Sequence, residues 1–216
     1  MRLIRVFVET ALAPGARIEA GGTAATHMAR VLRLVAGNPV TLFNGDGSDY
    51  AAKIVAIRNS QVDIEVLEQR QARPESPLAL TLVQGIARAE RMDLIVQKAT
   101  ELGVTSIQPV VTARSVVRLD AKTTERKLAH WRGIVIAACE QCGRARLPAI
   151  AEPLPLPEWL ARPVPPSSRR LQLAVDARES LASVAAGASA IELLIGPEGG
   201  LEEGERSSAG SAGFRG

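Results

Sequence analysis

The sequence has few aromatic residues and no long apolar run. Aromatic side chains make up 3% of its 216 residues, so any contact with nucleic acid should rely on arginine more than on stacked rings. No uninterrupted apolar segment is long enough to cross a bilayer. The apolar core of residues 1–9 is too short for a signal peptide. We therefore expect a cytoplasmic protein with no membrane partner.

Cysteine and histidine are equally scarce. Cys139 and Cys142 form one Cys-x-x-Cys pair, and His27 and His130 are the only histidines. A structural zinc site would need two further ligands, although a redox pair is conceivable from the spacing. Cys139 falls inside an apolar helical pattern, which favours two small helix residues in a reducing compartment. We expect no metal site.

The bulk composition is that of a mildly basic globular protein. Hydrophobic residues make up 46% and charged residues 23% of the chain, with a formal net charge of +3. This excess is compatible with a polyanionic partner but does not require one. The length suffices for one large domain or two small ones.

The pattern of residues 1 to about 70 indicates short apolar strands with tight turns, which predicts a small β-barrel. Val62, Ile64 and Val66 alternate with acidic residues, as in a half-buried strand. The sequence Asn-Gly-Asp-Gly at residues 44–47 is a strong turn signal.

One helix is predicted within this unit, at residues 23–34. Its expected apolar stripe consists of Met28, Val31, Leu32 and Val35. The opposite side carries His27, Arg30 and Arg33. These three residues form either a solvated basic face or an edge that contacts phosphate groups, and the pattern does not decide between the two.

A polar linker with two prolines, at residues 69–77, separates two predicted domains, residues 1–72 and 77–216. Strands then alternate with helices, which predicts an α/β domain with a mainly parallel sheet. A helix within residues 87–104 carries Arg91, Lys98 and Glu101 on one flank of its apolar stripe. Such charges commonly form salt bridges on a helix flank. The proline-rich residues 152–166 predict a surface crossing without a regular helix or central strand.

The apolar run at residues 191–195 ends abruptly in Gly-Pro-Glu-Gly-Gly. Such a run is typical of a strand buried on both faces. Loops at the carboxyl ends of parallel strands are where open α/β sheets bind ligands, and glycine lets a ligand approach the backbone. Acidic residues at 202, 203 and 205 predict the N-terminus of a helix.

Several of these segments resemble the ribosomal RNA small subunit methyltransferase E family, within the SPOUT, or trefoil-knotted, methyltransferases. The matching segments are Arg-Val-Phe-Val at 5–8, His-Met-Ala-Arg-Val-Leu-Arg at 27–33, Arg91 with Gln-Lys-Ala-Thr-Glu-Leu-Gly-Val at 97–104, Arg-Ser at 114–115, Trp131, Ala-Cys-Glu-Gln-Cys-Gly-Arg at 138–144 and Leu-Ile-Gly-Pro-Glu-Gly-Gly-Leu at 194–201. The resemblance implies an N-terminal PUA-like β-barrel that helps to grip RNA and a C-terminal α/β domain with a deep trefoil knot around S-adenosyl-L-methionine. It also implies a homodimer that methylates uridine N3 in the 16S rRNA of the small ribosomal subunit.

The glycine loop is the expected cofactor site, acting largely through main-chain groups. A phosphate-binding loop would carry Gly-Lys-Ser or Gly-Lys-Thr, which this loop lacks, whereas S-adenosylmethionine has no phosphate. The expected cofactor-binding residues are Leu194, Ile195, Gly196, Glu198, Gly199 and Gly200.

Methylation at uracil N3 requires the loss of its proton, so a cation near a uracil oxygen and a proton-accepting carboxylate would both help. The candidate catalytic residues are Arg91, Glu101, Arg114 and Arg144. Glu198 is a second candidate proton acceptor. Structural roles stay open for both carboxylates, because Glu101 could pair with Lys98 and Glu198 could face a helix dipole. The expected RNA-binding residues are His27, Arg30, Arg33, Arg88 and Lys98.

Members of the family continue beyond the position of Glu205 with a further strand, a loop of the type Leu-Gly-x-Arg-Ile-Leu-Arg-x-Glu-Thr-Ala and a closing helix, which this sequence does not contain. Knot closure, one wall of the cofactor pocket and part of the dimer contact are expected to depend on that segment. Two alternatives stay open. One is an RNA-binding protein of the same fold with impaired catalysis, and the other is a related methyltransferase that acts on another RNA, such as tRNA.

Overall fold

The computed structural model describes residues 4–58, 61–115, 120–164, 167–174, 177 and 179–216. The chain divides into two compact units. The first comprises Met1–Pro74 and Ile136–Leu147, and the second comprises Glu75–Val135 and Pro148–Gly216. Both units are therefore discontinuous in sequence, because a segment from the middle of the chain clusters with the N-terminal strands.

The first unit is built on a five-stranded sheet with the order β1-β3-β4-β5-β2. Its strands are β1 (Arg5–Phe7), β2 (Arg17–Ala20), β3 (Pro39–Phe43), β4 (Ser48–Arg58) and β5 (Gln61–Gln71). β1 and β3 pair in parallel, and the other neighbours are antiparallel. The β4–β5 ladder contains two register shifts, which increase the local twist and bend the sheet.

Two predicted features of this sheet are confirmed. Val62, Ile64 and Val66 are all fully buried in the core of the unit, as their alternation with acidic residues predicts. The turn between β3 and β4 places Gly45 and Gly47 at positive φ angles of 94° and 97°, which glycine adopts without steric cost.

The predicted helix of residues 23–34 is wrong in its second half. The structure has a short helix α1 (Gly22–Thr26) followed by a π-helical turn (His27–Val31). A π-turn contains more residues per turn than an α-helix, so the side chains after Met28 point in different directions from those that the α-helical period predicts. Leu34 is consequently buried, whereas Val31 and Val35 are 65% and 60% exposed.

The segment Ile136–Leu147 contacts the first sheet through specific hydrogen bonds. The Phe7 amide donates to the Glu140 carboxylate at 3.0 Å, and the Arg5 guanidinium donates to the Arg144 carbonyl at 3.1 Å. Arg5 also pairs with Asp49 at 2.5 Å. The buried charge of Arg5 is thus paired, as a buried charge requires. The hydrogen bonds of Glu140 and Arg144 join this segment to the first unit.

The second unit contains a parallel sheet of seven strands, in the order β12-β10-β11-β6-β7-β8, with β9 also paired to β7. The strands are β6 (Ala79–Gly85), β7 (Ser106–Val111), β8 (Ala149–Ile150), β9 (Leu154–Pro155), β10 (Ser168–Gln172), β11 (Ala190–Ile195) and β12 (Phe214–Arg215). The helices are α2 (Ala89–Glu101), α3 (Ala121–Cys142), α4 (Leu156–Leu160), α5 (Leu181–Ala185) and α6 (Glu203–Ser211). The predicted parallel α/β architecture is confirmed. α3 extends from this unit into the first.

β11 lies inside the sheet, and its side chains alternate between two environments. Leu194 is fully buried in a core cluster with Val83, Val110 and Leu156. Leu193 and Ile195 lie on the opposite face of the strand, where both line a cavity. The strand therefore has apolar surroundings on both faces, as its apolar run predicts.

The interpretation of residues 152–166 as a crossing without a helix is wrong. This segment contains β9, which pairs with β7, and α4, which follows β9 directly. Pro157 lies in the first turn of α4, where the missing N–H is no loss because the first helical amides have no intrahelical partner. Leu156 is 1% exposed and packs in the core. Residues 165 and 166 lie outside the described residues.

None of the helices in the described part of the chain is long and apolar enough to cross a membrane. Among the described residues, no group of three or more histidine, cysteine or acidic side chains is arranged to hold a metal ion. Cys139 and Cys142 both lie near the end of α3, the helical setting that the sequence favours.

Candidate active site

The glycine loop, residues 196–200, follows β11 and folds back tightly on itself before α6 begins. The Gly200 amide donates to the Pro197 carbonyl at 2.8 Å, and Gly200 has a φ angle of 71°. A Cβ atom on Gly196 would lie 2.8 Å from the carbonyl carbon of Gly200, closer than atoms of a real side chain approach. The sharp turn therefore requires glycine at both positions, and it leaves the backbone accessible at the end of the strand.

The carboxyl end of β6 packs directly against this loop. A Cβ atom on Gly85 would lie 2.6 Å from Cδ of Pro197. The side-chain amide of Gln84 donates to the carbonyl of Gly85 at 2.9 Å and to that of Gly196 at 3.2 Å. The end of β6 and the glycine loop are thus in contact through backbone and buried side-chain groups.

Glu198 links the glycine loop to the start of α2. Its carboxylate accepts a hydrogen bond from the Arg88 amide at 3.0 Å and lies 3.8 Å from Nε of Arg91. Hydrogen bonds from its own amide and that of Arg88, together with the charges of Arg91 and Arg88, lower the pKa of Glu198. A lowered pKa weakens a carboxylate as a base, and one oxygen of Glu198 already accepts a hydrogen bond from the start of α2.

The loop that follows β7 contacts the glycine loop at Gly199. The Arg114 guanidinium donates to the Gly199 carbonyl at 2.5 Å and lies 3.8 Å from the Glu202 carboxylate. The Ala113 amide donates to Glu205 at 2.8 Å. Glu202 and Glu205 also form a capping box at the start of α6, which confirms the predicted acidic helix N-terminus.

The glycine loop forms one end of an apolar cavity of about 490 Å³ within the second unit. β6 and β11 provide its floor and α2 provides one wall. The lining residues are Leu80, Leu82, Gln84, Ala87, Arg91, Leu94, Ile95, Lys98, Ala99, Leu102, Val104, Leu193, Ile195, Gly196, Pro197 and Glu198. Such a cavity, apolar with a few polar groups, has the properties of a site for a small organic molecule.

Known proteins share the sequence pattern and the fold of this chain. Residues 74–216 match the sequence model described as the RNA methyltransferase domain, and residues 21–67 match that of the RNA methyltransferase PUA domain. The chain is 30% identical over 213 residues to ribosomal RNA small subunit methyltransferase E of Mycobacterium tuberculosis, in a match that covers 96% of this chain and 80% of the relative. This chain belongs to the ribosomal RNA small subunit methyltransferase E family.

Two solved structures of similar proteins contain a bound ligand. A ribosomal RNA small subunit methyltransferase E from Neisseria gonorrhoeae, bound to S-adenosyl methionine, matches with a TM-score of 0.93 and 34% identity over 99% of this chain and 88% of that chain. A methyltransferase from Legionella pneumophila, in complex with the cofactor SAM, matches with the same TM-score and 32% identity over the same shares. The PUA-like N-terminal domain and the SPOUT-type C-terminal domain are thus confirmed, whereas the trefoil knot stays a prediction.

Within this family fold, α2 separates the predicted site residues into two groups. Arg88 and Arg91 lie at its N-terminal end, beside the glycine loop. Lys98 and Glu101 lie near its other end and pair with each other at 2.7 Å. At 1.5 Å per residue, Glu101 is about 15 Å further along the helix axis than Arg91. The structure thus contains the Lys98–Glu101 salt bridge that the sequence analysis considers for Glu101. The carboxylate of Glu101 is paired there and lies far from the glycine loop.

The remaining predicted residues have other surroundings. Leu194 is buried in the core of the second unit, and its carbonyl accepts a hydrogen bond from the Leu173 amide. His27, Arg30, Arg33 and Arg144 all belong to the first unit. Among the described residues other than glycine, only Arg33 has a positive φ angle, of 50°.

Sequence reasoning missed several buried polar groups of the second unit. Gln84 and Gln108 are polar side chains on two neighbouring apolar strands. Another is the pair of Arg170 and Glu192, which lie opposite each other on β10 and β11 with 2.7 Å between Nε and Oε2. A charged residue inside an apolar strand such as β11 requires a partner, and this was the available signal for the pair.

Proposed function

We propose that this chain transfers a methyl group from S-adenosylmethionine to N3 of a uridine in the 16S rRNA of the small ribosomal subunit. The observation that carries the proposal is the tight glycine loop at the carboxyl end of β11, in a chain of this family. The related proteins crystallised with S-adenosylmethionine support the choice of methyl donor.

The residues around the loop fit this donor. Gly196 and Gly200 have no side chain that would cover the backbone, so main-chain donors and acceptors can reach an adenine ring. Leu193 and Ile195 supply an apolar wall beside them. We propose that Ile195, Gly196, Gly199 and Gly200 contact the donor directly, that Leu194 contributes only its backbone, and that Glu198 acts by holding the loop.

When bound, S-adenosylmethionine supplies an electrophilic methyl group. The chain must then hold uracil with N3 in line with that methyl group and favour the N3 anion. Arg91 is the best-placed cation, because its exposed side chain lies at the loop end of the cavity. A guanidinium there would donate to a uracil oxygen and stabilise the charge that develops when N3 loses its proton. We propose that the proton passes to solvent, since Glu101 is paired and Glu198 is a weak base.

We assign a supporting role to Arg114, whose guanidinium holds the Gly199 carbonyl. RNA contacts are proposed for His27, Arg30 and Arg33 in residues 1–72, and for Arg88 and Lys98 in residues 77–216. A contribution of Arg144 to the reaction stays a prediction. We also propose that the protein acts as a homodimer in the cytoplasm, where ribosomal RNA is available.

The test is methyl transfer from labelled S-adenosylmethionine to small ribosomal subunits and to tRNA, with mapping of the modified nucleotide by mass spectrometry. We expect methylated uridine in 16S rRNA and none in tRNA. Gly199→Trp should abolish the transfer, because a side chain there meets Arg114 at 3.2 Å and fills the loop. Gly133→Trp, on an exposed position of α3 with open space around it, is the matched control. Methylated tRNA, or full transfer by Gly199→Trp, would contradict the proposal.

A further inference from the structure

We infer that Gln84 and Glu198 are positioning residues, which hold the glycine loop of residues 196–200 in the shape that binds the methyl donor. This inference rests on the proposed function, because the bound molecule is taken to be S-adenosylmethionine. Neither side chain needs to contact the donor. Each acts by fixing a different part of the loop to the end of β6 and the start of α2.

Gln84 holds the first residue of the loop. It is 2% exposed, and its side-chain nitrogen donates to the carbonyls of Gly85 and Gly196. An amide nitrogen has two N–H groups, so both are used, one on the last residue of β6 and one on the glycine loop. Loss of this amide removes a hydrogen-bond donor from two carbonyls at once, and the desolvation of an unpaired buried carbonyl is costly.

Glu198 holds the loop from the other side of Pro197. Its carboxylate accepts from the Arg88 amide, the residue that caps α2. Pro197 itself packs against Gly85 with no room for a Cβ atom. Three consecutive residues of the loop are therefore fixed to one short segment, residues 84–88. A loop fixed in this way is ordered before its ligand arrives, which lowers the entropic cost of binding.

The neighbouring strand contains a matched control for Gln84. Gln108 of β7 is also 2% exposed, and its side-chain nitrogen donates to the carbonyl of the next residue, Pro109, at 2.8 Å and to that of Glu152 at 2.9 Å. The chemistry and burial are the same as for Gln84, and the two strands are paired. Gln108 differs in that its hydrogen bonds go to β7 itself and to Glu152, and not to residues 196–200.

The experiment compares Gln84→Met with Gln108→Met in the full chain, because methionine keeps the unbranched shape and loses the amide. Calorimetric titration with S-adenosylmethionine gives the dissociation constant, thermal unfolding gives the stability, and methyl transfer gives KM and kcat. We expect Gln84→Met to raise the dissociation constant and KM for S-adenosylmethionine by about tenfold, with a smaller change in kcat. Gln108→Met should lower the unfolding midpoint by a similar amount and leave the dissociation constant within about twofold of the wild-type value.

The exposed Glu198 provides a second pair of variants that does not depend on how the core tolerates methionine. Glu198→Ala removes the acceptor of the Arg88 amide, whereas Glu198→Gln keeps an acceptor oxygen. We expect weaker binding of S-adenosylmethionine by Glu198→Ala and substantial recovery by Glu198→Gln. Wild-type affinity in both Gln84→Met and Glu198→Ala, or equal weakening by Gln84→Met and Gln108→Met, would overturn the inference. If Gln84→Met does not fold, the Glu198 pair decides. A wild-type protein that does not bind S-adenosylmethionine would instead contradict the proposed function.

Discussion

The two ends of α2 carry similar charged residues with different surroundings. At the N-terminal end, the Arg88 amide and the Arg91 guanidinium face Glu198 of the glycine loop. At the other end, Lys98 and Glu101 face each other on an exposed part of the helix. The sequence places Arg91, Lys98 and Glu101 on one flank, but the parallel sheet brings only the N-terminal end of α2 to the carboxyl ends of β6 and β11. Position along the helix, and not only the helical face, thus separates a candidate site from a surface salt bridge.

The largest effect should come from the loop itself. Gly196→Ala places a Cβ atom 2.8 Å from a backbone carbon of Gly200, so the loop must move. We expect methyl transfer to fall by more than about 100-fold, with a loss of about 1–3 kcal/mol in the free energy of unfolding. Gly204→Ala is the control, because open space surrounds this helical glycine. It should gain about 0.5–1 kcal/mol of stability and keep its activity. Normal activity of Gly196→Ala would show that the loop shape is not required.

The next largest effect should separate the two ends of α2. We expect Arg91→Ala to reduce kcat by about 100-fold, because it removes the cation that would stabilise the uracil anion. Lys98→Ala removes a cation from the far end of the same cavity. Because Lys98 is proposed to contact RNA, its loss should act on KM and change kcat by less than about threefold. Steady-state kinetics on small ribosomal subunits measure both values. Equal losses in the two variants would remove the distinction between the ends of the helix.

A smaller effect should appear in the pH dependence of stability. The pKa of Glu198 is lowered in the folded protein, chiefly by hydrogen bonds from backbone amides. A carboxylate of this kind stabilises the fold above its unfolded pKa, and the contribution is lost as the pH falls through the lowered folded value. Wild type should therefore be more stable than Glu198→Gln at neutral pH, and the difference should narrow in acid. Urea unfolding at several pH values measures it, with Glu158→Gln in the first turn of α4 as the control for loss of a surface carboxylate. A difference that widens in acid would contradict the assignment.

The smallest effect is expected at Glu101. It pairs with Lys98 near the C-terminal end of α2, and exposed pairs of this kind contribute only about 0.2–1 kcal/mol. Glu101→Gln should keep kcat within about threefold of the wild-type value and should not change its pH profile. A loss of about 100-fold, together with a changed pH profile, would instead identify Glu101 as the proton acceptor.

The sequence predicts the local features of this fold well. The alternation at residues 62–66 predicts β5, and the apolar run before Gly196 predicts β11. These predictions hold because each depends on neighbouring residues. The π-helical turn at His27–Val31 escapes such reasoning, because its residues have ordinary helical propensities and only the packing of Leu34 reveals the change of period.

Long-range pairings are the part that local patterns cannot supply. Gln84 and Gly196 are 112 positions apart, and no periodicity relates them. The same is true of Glu140, which joins the end of α3 to Phe7. In the candidate site, the turn chemistry predicts the glycine loop. The contact of the Gln84 side-chain amide with that loop depends instead on the order of the strands. A single sequence does not specify that order.

The most direct test of the account is a titration of the isotopically labelled protein with S-adenosylmethionine, followed by NMR of the backbone amides. We expect the amide signals of Gly196, Gly199 and Gly200 to shift as the ligand is added. Those of Gly45 and Gly47, in the turn of the first unit, should not change. Binding that shifts other amides and leaves residues 196–200 unchanged would contradict the claim that this loop holds the methyl donor.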